Sequence, residues 1–288
     1  MMFYESKLEI DVGTNPDRPR PGRLWLRNLY HVHQRLCMAF PSAQRKARDP
    51  HFLEPYNPHE HPEDFPIIHT PRSNCANFLY QILPRPHGRV LIIVRSAMKP
   101  DWDYAFHNAQ YLLRRPPECQ SGDYLITEDD EYQFELVANP TKKVGTLLKS
   151  ERLNPYPAPA SKSKNGRRIP VPSEQWPAWL EHKAKSHGFK LVGDLRSTPS
   201  YARVVKPKES PIDNTLSRDD VIAYHKGRIL AVRFQGRLKV VNAADFKNAL
   251  VAGIGPAKAF GCGLLYCYEL KLTSGDSAHD KARSSMSA

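Results

Sequence analysis

The apolar residues in the first half of the chain change their spacing in an order that few folds can accommodate. Residues 3–12 alternate between apolar and polar side chains, which predicts a strand with one buried face. The spacing then becomes helical over residues 24–40, and Pro41 ends it. Residues 78–83 and 89–95 predict two strands joined by a short turn that contains proline and glycine.

The same order continues to the middle of the chain. Residues 101–113 predict a weak helix and residues 131–137 a further strand, whereas the proline-rich segments 14–23 and 41–73 predict loops. The complete order is strand, helix, strand, strand, helix, strand. This is the order of the ferredoxin-like unit, which several RNA-binding folds share.

The second half of the chain repeats this theme more loosely. Its predicted elements are a helix capped by Ser173 and ending near Gly188, strand-like stretches at 190–193 and 221–241, a helix at 243–251 and a strand at 264–272. Turn signals at Gly227 and Gly236 interrupt the longer stretch. We therefore predict an α+β chain with two tandem ferredoxin-like (RRM-like) domains and a C-terminal glycine-rich loop.

The domain boundary is expected between Val137 and Leu147. The first domain then covers residues 1–140 and carries the helix at 24–40, and the second covers residues 141–272. Residues 273–288 are small and polar, which predicts a disordered tail.

The charge of the chain points to a polyanionic partner. The 42 lysines and arginines exceed the 30 aspartates and glutamates, which gives a formal net charge of +12. Such an excess repels itself in the folded state, and nucleic acid is the partner that fits it best. An anionic membrane fits less well, because no amphipathic helix carries a lysine-rich face. A basic protein that is merely soluble remains the plain alternative.

The sequence predicts a cytoplasmic protein that has no membrane partner. No signal-peptide core precedes the first strand, and the longest apolar runs are too short to span a bilayer. The five cysteines are scattered and odd in number, which is typical of a reducing compartment. They are Cys37, Cys75, Cys119, Cys262 and Cys267.

The helix at 24–40 contains the first candidate site. Its apolar face is formed by Trp25, Leu29, Val32, Leu36 and Phe40. His33 falls at the edge of this face, and Tyr30 lies one turn away, whereas His31 points into water. A half-buried imidazole beside a phenol suits proton transfer near neutral pH. A border histidine that only satisfies a backbone partner is the more frequent case, so this pattern alone does not decide.

The glycine-rich segment from Gly253 to Gly263 is the second candidate. It follows a predicted helix and precedes a strand, which is the reverse of a dinucleotide-binding fingerprint, and it lacks the sequence of an ATP-binding loop. The backbone amides around Gly253, Gly255 and Gly261, together with the Lys258 ammonium, can still approach phosphates closely. A flexible connection is the alternative.

Basic residues around the start of the second domain form the third candidate. They are Lys142, Lys143, Lys162, Lys164, Arg167 and Arg168. Asn165 and Gly166 are a strong hairpin-turn signal, and a basic hairpin fits along the groove of an RNA stem. A solvated run of charge explains the residues equally well.

A metal site is not expected. His59, His61, Glu63 and Asp64 form a cluster in a proline-rich loop, but no further ligand follows at a useful spacing. We therefore assign no metal ligands and no cofactor.

These motifs together resemble the CasE (Cse) family, the repeat-RNA endoribonuclease of type I-E CRISPR Cascade. The longest and most specific match is the segment from Gly253 to Leu265. The others are Leu29, Tyr30, His33 and Gln34 in a first helix before Phe40 and Pro41; Ala138, Asn139, Pro140 and Lys142; and Arg168 and Pro170 ahead of a helix with Trp179 and Leu180.

The resemblance implies two ferredoxin-like domains and an enzyme that binds the hairpin of a CRISPR repeat RNA. It implies metal-independent cleavage at the 3′ base of the stem, which leaves a 2′,3′-cyclic phosphate and a 5′-hydroxyl. The family's catalytic histidine and tyrosine correspond to His33 and Tyr30, and we add Arg168 as a third catalytic candidate. The mature crRNA is expected to stay bound by its 3′ hairpin, with the protein as one subunit of Cascade.

Two alternatives belong to other classes. One is a non-catalytic subunit that binds the crRNA hairpin, in which His33 only packs. The other is a basic DNA-binding protein, against which the lack of helix-turn-helix and zinc-finger patterns counts.

Overall fold

Two four-stranded antiparallel sheets carry the architecture in the computed structural model. The structure describes residues 3–15, 17, 20–52, 78–86, 88–143, 168–207 and 224–269. The first sheet has the order β2-β3-β1-β4 and contains β1 (Phe3–Ile10), β2 (Phe78–Arg85), β3 (Arg89–Ser96) and β4 (Glu118–Gly122). Its helices are α1 (Pro21–Leu26), α2 (Leu29–Cys37), α3 (Ala43–Arg48) and α4 (Trp102–Phe106).

The second sheet has the order β10-β5-β9-β8. It contains β5 (Glu131–Ala138), β8 (Phe189–Pro207), β9 (Tyr224–Val240) and β10 (Leu265–Cys267), with the helices α5 (Trp176–Lys185) and α6 (Ala243–Ala252). A separate two-stranded sheet pairs β6 (Thr141–Lys143) with β7 (Arg168–Pro170). The α+β class with antiparallel sheets is therefore confirmed.

Alternation along β2 explains how the first sheet meets both its helices and the second sheet. Tyr80 is fully buried in the core that includes Val32 and Leu36 of α2. Its neighbours on the opposite face, Leu79 and Leu83, pack instead with residues of β3 and with Leu264 beside β10. The first sheet therefore packs against other elements on both of its faces.

The predicted helix at 24–40 is two helices. It breaks at Asn28, whose side-chain oxygen accepts a hydrogen bond from the backbone N–H of Tyr30 at 3.2 Å. Asparagine favours such a cap over a helix interior, which explains the break. The helix before the break starts at Pro21, inside the segment predicted as a loop, because proline is well tolerated at a first helical position. The predicted loop at 41–73 also contains α3, and residues 53–77 lie outside the described part.

The fourth strand of the first sheet was predicted wrongly. It is Glu118–Gly122, an edge strand of mostly exposed polar residues that lacks the apolar alternation of a recognisable strand. The predicted strand at 131–137 exists as β5, but it pairs with β9 and β10 in the second sheet. β5 thus lies before the expected boundary at residue 140 but belongs to the second sheet. The weak helix at 101–113 is α4 followed by a 3-10 turn at Gln110–Leu112.

In the second half, β8 and β9 form one long hairpin without the predicted turns. Gly227 pairs with Val204 inside the ladder, and Gly236 lies near the bulge between Val192 and Arg196. A Cβ atom on Gly236 would lie 3.1 Å from the carbonyl oxygen of Asp194, so this glycine permits a close approach of strands and not a turn.

The helices of the second half begin and end near their predicted positions. Ser173 is not the cap of α5, because a 3-10 turn at Ser173–Gln175 precedes that helix. The helix at 243–251 is confirmed as α6, whose cap is Asn242. The final strand is described only as Leu265–Cys267, and the predicted tail at 273–288 lies outside the described residues. Within the described residues, no helix is both long and apolar enough to cross a membrane.

Candidate active site

His33 lies half-buried on α2 and is held by aromatic rings from two other elements. Its imidazole stacks on the ring of Phe78 with centroids 5.7 Å apart, and it meets the ring of Phe260 edge-on at 6.4 Å. The Sγ atom of Cys37, one turn later on α2, lies 3.6 Å from Nε2. The predicted position at the border of the apolar face is therefore confirmed. These contacts fix the plane of the ring while part of it stays exposed.

Tyr30 occupies the first turn of α2, one turn before His33. It is also half-buried, and the Asn28 cap fixes its backbone. Its ring centroid lies 6.2 Å from that of His31, which is exposed as predicted. The spacing of three residues along α2 places Tyr30 and His33 on adjacent parts of the helix surface.

The glycine-rich segment places Phe260 against α2 and is a packed loop, not a flexible connection. The backbone N–H of Ile254 donates to Gly263 O at 2.8 Å, and the N–H of Gly263 donates to Val137 O at 2.7 Å. Gly253 has φ +73°, and a Cβ atom there would lie 2.8 Å from Leu79 Cδ1. A side chain at Gly253 is therefore excluded both by its backbone conformation and by its neighbour.

Lys258 lies in the same 3-10 turn as Phe260, at Lys258–Phe260. It is half-buried, and this burial lowers the pKa of its ammonium group. The neighbouring carbonyl of Ala259 accepts a hydrogen bond from the hydroxyl of Tyr80 at 3.1 Å. The loop therefore brings one partly desolvated cation into the neighbourhood of His33.

A cleft of about 320 Å³ opens beside this loop. Its cationic side chains are Arg27, Arg203 and Arg233, and its apolar wall includes Leu29, Ile82, Val137 and Phe260. The sequence pattern singled out none of these three arginines. The sequence did offer one sign that Phe260 belongs to the site, because a single aromatic residue in a glycine-rich loop needs a surface to pack against.

The described basic residues at the start of the second domain form a basic surface and do not line this cleft. Lys143 and Arg168 are directly opposite each other in the pair of β6 and β7, and both are exposed. Arg168 Nη1 donates to Thr141 Oγ1 at 3.4 Å, and the structure describes no contact between Arg168 and His33. Lys142 is exposed beside them, whereas Lys162, Lys164 and Arg167 lie outside the described residues.

The indole of Trp179 connects this basic surface to the glycine-rich loop. Its Nε1 donates to Thr141 O at 3.3 Å, while a Cβ atom on Gly255 would lie 3.3 Å from its Cη2. Gly261 is similarly close to Tyr80, at 3.2 Å from Cε2. Three of the predicted glycines are thus positions where the backbone approaches a ring or side chain. The basic strand pair and the loop are neighbours through one side chain.

Acidic and metal-ligating residues do not gather at this site. In the described parts of the chain, no group of three or more histidine, cysteine, aspartate or glutamate side chains is arranged to hold a metal ion. The cluster around His59 and His61 lies outside those parts.

The known proteins that this chain resembles are CRISPR-associated proteins. A family model described as "CRISPR associated protein" matches residues 3–267. The CRISPR-associated endoribonuclease Cse3 of Thermus thermophilus is 28% identical over 178 residues, which cover 61% of this chain and 71% of that protein. The CRISPR system Cascade subunit CasE of Escherichia coli is 26% identical over 246 residues, which cover 84% and 93% of the two chains.

Solved structures share the fold. Thermus thermophilus Cse3 bound to an RNA that represents a pre-cleavage complex superposes with a TM-score of 0.58 at 21% identity, covering 93% of this chain and 99% of that one. A structure of the CRISPR endoribonuclease Cse3 bound to a 19-nucleotide RNA gives a TM-score of 0.59 at 21% identity, with the same coverage.

Proposed function

The chain belongs to the family of CRISPR-associated proteins, and on that premise we propose that it is the endoribonuclease that cuts CRISPR repeat RNA. A curated relative named as an endoribonuclease and another named as a Cascade subunit support this assignment. The observation that carries it is the placement of His33, half-buried and held between Phe78 and Phe260 beside a cleft with three arginines.

The proposed reaction is a transesterification within the RNA. The ribose 2′-oxygen forms a bond to the adjacent phosphorus while the bond from phosphorus to the 5′-oxygen breaks. The products are a 2′,3′-cyclic phosphate and a 5′-hydroxyl. One proton must leave the 2′-hydroxyl and one must reach the departing 5′-oxygen, and no metal ion is required for either step.

His33 and Tyr30 are the proposed catalytic pair. The imidazole transfers a proton, either from the 2′-hydroxyl or to the 5′-oxygen, because only such a group changes its charge readily near neutral pH. The phenol of Tyr30 orients the ribose. Lys258 offsets the extra negative charge on the phosphate, and its partial burial strengthens that interaction.

The basic surface is proposed to hold the RNA stem. Shape and phosphate contacts dominate recognition of A-form RNA, because its major groove is too narrow for side chains to read. Arg168 is the proposed member that reaches the transition state. The other members are Lys142, Lys143, Lys162, Lys164 and Arg167, and the backbone of Gly255 and Gly261 is proposed to approach phosphates from the loop. Gly253 is left out, because it is buried and its N–H donates to Ala249 O at 2.9 Å.

We also propose that the chain consists of two tandem ferredoxin-like domains. The strand order β2-β3-β1-β4 with antiparallel pairing supports this for the first, and the helices α5 and α6 on the second sheet support it for the other. The product is proposed to stay bound by its 3′ hairpin, with the protein as a cytoplasmic Cascade subunit that needs no cofactor.

Cleavage of a labelled repeat RNA by the purified protein tests the proposal. We expect cleavage in the presence of a chelator, a 2′,3′-cyclic phosphate on the upstream fragment, and no cleavage when the ribose at the cut carries a 2′-deoxy substitution. A requirement for Mg²⁺, or a cut that the 2′-deoxy substitution does not block, would refute the mechanism. Hairpin binding without any cleavage would instead identify a non-catalytic binding subunit, and equal competition by duplex DNA would favour the DNA-binding alternative.

A further inference from the structure

The cleft beside the glycine-rich loop has the composition of a site for a single nucleotide. Leu29, Ile82, Val137 and Phe260 offer apolar surface, and Arg27, Arg203 and Arg233 offer cations. Its volume of about 320 Å³ is at the lower end of the range for sites that bind small molecules. A nucleotide combines one aromatic ring system with one phosphate, and it therefore matches both halves of this surface.

Arg233 is fixed in the cleft by a buried carboxylate. Glu135 is 4% exposed and accepts hydrogen bonds from Gln81 Nε2 and Gln235 Nε2, each at 3.1 Å. Its Oε1 also pairs with Nε of Arg233 at 3.5 Å. Gln81 belongs to the first sheet and Glu135 to the second, so Arg233 is positioned by the contact between the two sheets.

Two of the three cations of the cleft are not paired with an acid in the part of the chain that the structure describes. Within the described residues, Arg27 and Arg203 have no ion-pair partner, and the pairing of Arg233 engages its Nε. Three guanidinium groups around one small opening repel one another, and an anion among them relieves that repulsion. A phosphate suits such a site, because a planar guanidinium can bind it through two parallel hydrogen bonds.

Phe260 connects the cleft to His33, because its ring lines the cleft and also contacts the imidazole. A molecule bound in the cleft can therefore contact the same Phe260 ring that contacts the proposed catalytic histidine. We propose that the cleft binds the nucleotide on the 3′ side of the cut, with its base against Phe260 and the apolar wall and the phosphate on its own 3′ side on Arg233. This inference rests on the proposed function, with the cut at the expected 3′ base of the stem.

The choice of the 3′ nucleotide follows from base pairing. The nucleotide on the 5′ side of the cut belongs to the stem, and it would have to lose its partner before its base could enter the cleft. The nucleotide on the 3′ side is unpaired, so turning its base out of the stack costs less. It also leaves with the downstream fragment. The cleft therefore adds to the binding of the precursor and contributes nothing to the retention of the product hairpin.

The test measures binding without cleavage. The RNA is a precursor hairpin with a 2′-deoxy ribose at the cut, prepared with an intact, an abasic or a missing 3′ nucleotide, and compared with the product hairpin. The intact and the abasic RNA carry a 3′-phosphate on that nucleotide. For the native protein we expect the abasic RNA to bind about tenfold more weakly than the intact one, which is within the range for losing one base stacked on an aromatic side chain. The shortened RNA also lacks the phosphate and should bind more weakly still. The shortened RNA and the product hairpin should bind alike.

Variants locate the effect in the cleft. R233Q and R203A should each weaken binding of the intact and the abasic precursor, which both carry the phosphate, and so reduce the advantage of these RNAs over the shortened one, with product binding unchanged. R203A is included because Arg203 is exposed and its loss leaves the buried network around Glu135 intact. R237A is the matched control, since Arg237 is an exposed arginine on the same strand outside the cleft and should leave the advantage unchanged.

Equal binding of the intact and abasic RNA by the native protein would overturn the inference. So would cleft variants that weaken precursor and product by the same factor, because that result describes general attraction to phosphate. If the expected differences appear while the native protein does not cut the unmodified RNA, the site stands and the nuclease function fails. If the unmodified RNA is cut and the differences are missing, only the site fails.

Discussion

At the scale of single residues, the proposed chemistry depends on two groups that are partly and not fully removed from water. His33 is half-buried between Phe78 and Phe260, so its ring is oriented and still accessible to a substrate. Lys258 is half-buried in the adjoining loop, and its charge is less screened than that of a lysine on the open surface. Both groups are suited to act on a phosphate that approaches from solvent.

The lowered pKa of Lys258 predicts an alkaline limit on the reaction. A lysine whose pKa is depressed loses its proton at a lower pH than an ordinary lysine, so its stabilising charge disappears earlier as the pH rises. We expect the single-turnover rate, corrected for uncatalysed hydrolysis, to fall on the alkaline side below pH 10.5, the ordinary pKa of lysine. The change K258R should move that fall to higher pH, because a guanidinium keeps its charge. An identical alkaline profile for K258R would contradict the role of Lys258.

The position of His33 was predictable from the sequence, and the arginines of the cleft were not. Helical spacing places His33 at the border of the apolar face, and this survives the break at Asn28 because Tyr30 and His33 both lie within α2. Arg27, Arg203 and Arg233 are far apart in the chain and meet only because the long hairpin of β8 and β9 reaches α2 and the loop. No local pattern contains that information.

At the scale of elements, one buried arginine holds both ends of the glycine-rich loop. Arg95 of β3 donates from Nη1 to Leu250 O at 3.0 Å and to Leu265 O at 3.1 Å, which flank the loop on either side. Its Nη2 pairs with Glu5 at 3.0 Å, and Glu5 also accepts from the hydroxyl of Tyr124. The first sheet thereby fixes the loop that places Phe260 against α2.

We expect R95M to destabilise the protein and to loosen the loop. Removing one partner of a buried ion pair costs about 3–5 kcal/mol, because Glu5 is left without its cation and two carbonyls lose their donor. Denaturant unfolding measures the stability, and amide hydrogen exchange at residues 253–264 measures the loop. The control is R45M, which breaks the buried pair between Arg45 of α3 and Asp49 directly after that helix, 2.8 Å apart. If R45M and R95M increase exchange in the loop equally, Arg95 does not position it.

Elements with strong apolar periodicity were predictable from the sequence. Elements that form only because they pair with a neighbouring strand were not. The strands β1, β2 and β3 have alternating or continuous apolar residues, and their predicted limits are close to the observed ones. β4 has no such pattern and exists because the edge of β1 offers it a ladder of hydrogen bonds. Gly227 and Gly236 resemble turn signals, but they lie within the paired length of β9.

At the scale of the whole molecule, the net charge of +12 bears on the proposed retention of the product. A basic protein that contacts several phosphates of a stem holds it strongly at low salt, because each neutralised phosphate releases counterions on binding. If the contacts lie on the stem, they remain after the cut. The product hairpin should then leave slowly and limit turnover.

With RNA in excess over protein, we expect a rapid phase that produces about one cut RNA per protein molecule, followed by a slow phase. The amplitude is one because each molecule keeps its first product, and the slow rate should rise with salt as release becomes easier. Product measured over time at several protein concentrations gives both phases. A linear time course through many turnovers at low salt would contradict retention.

The most direct test of the central claim is the single-turnover rate of H33A with a chelator present, measured beside H31A. Both changes remove one imidazole from α2, but His31 is exposed and has no proposed role. We predict that H33A lowers the rate by a factor of about 10² to 10⁴ while hairpin affinity stays within about twofold of the native protein, as expected for loss of a proton-transfer group. H31A should cut at the native rate. Native-rate cleavage by H33A, or loss of RNA binding together with cleavage, would contradict the claim that His33 moves the proton.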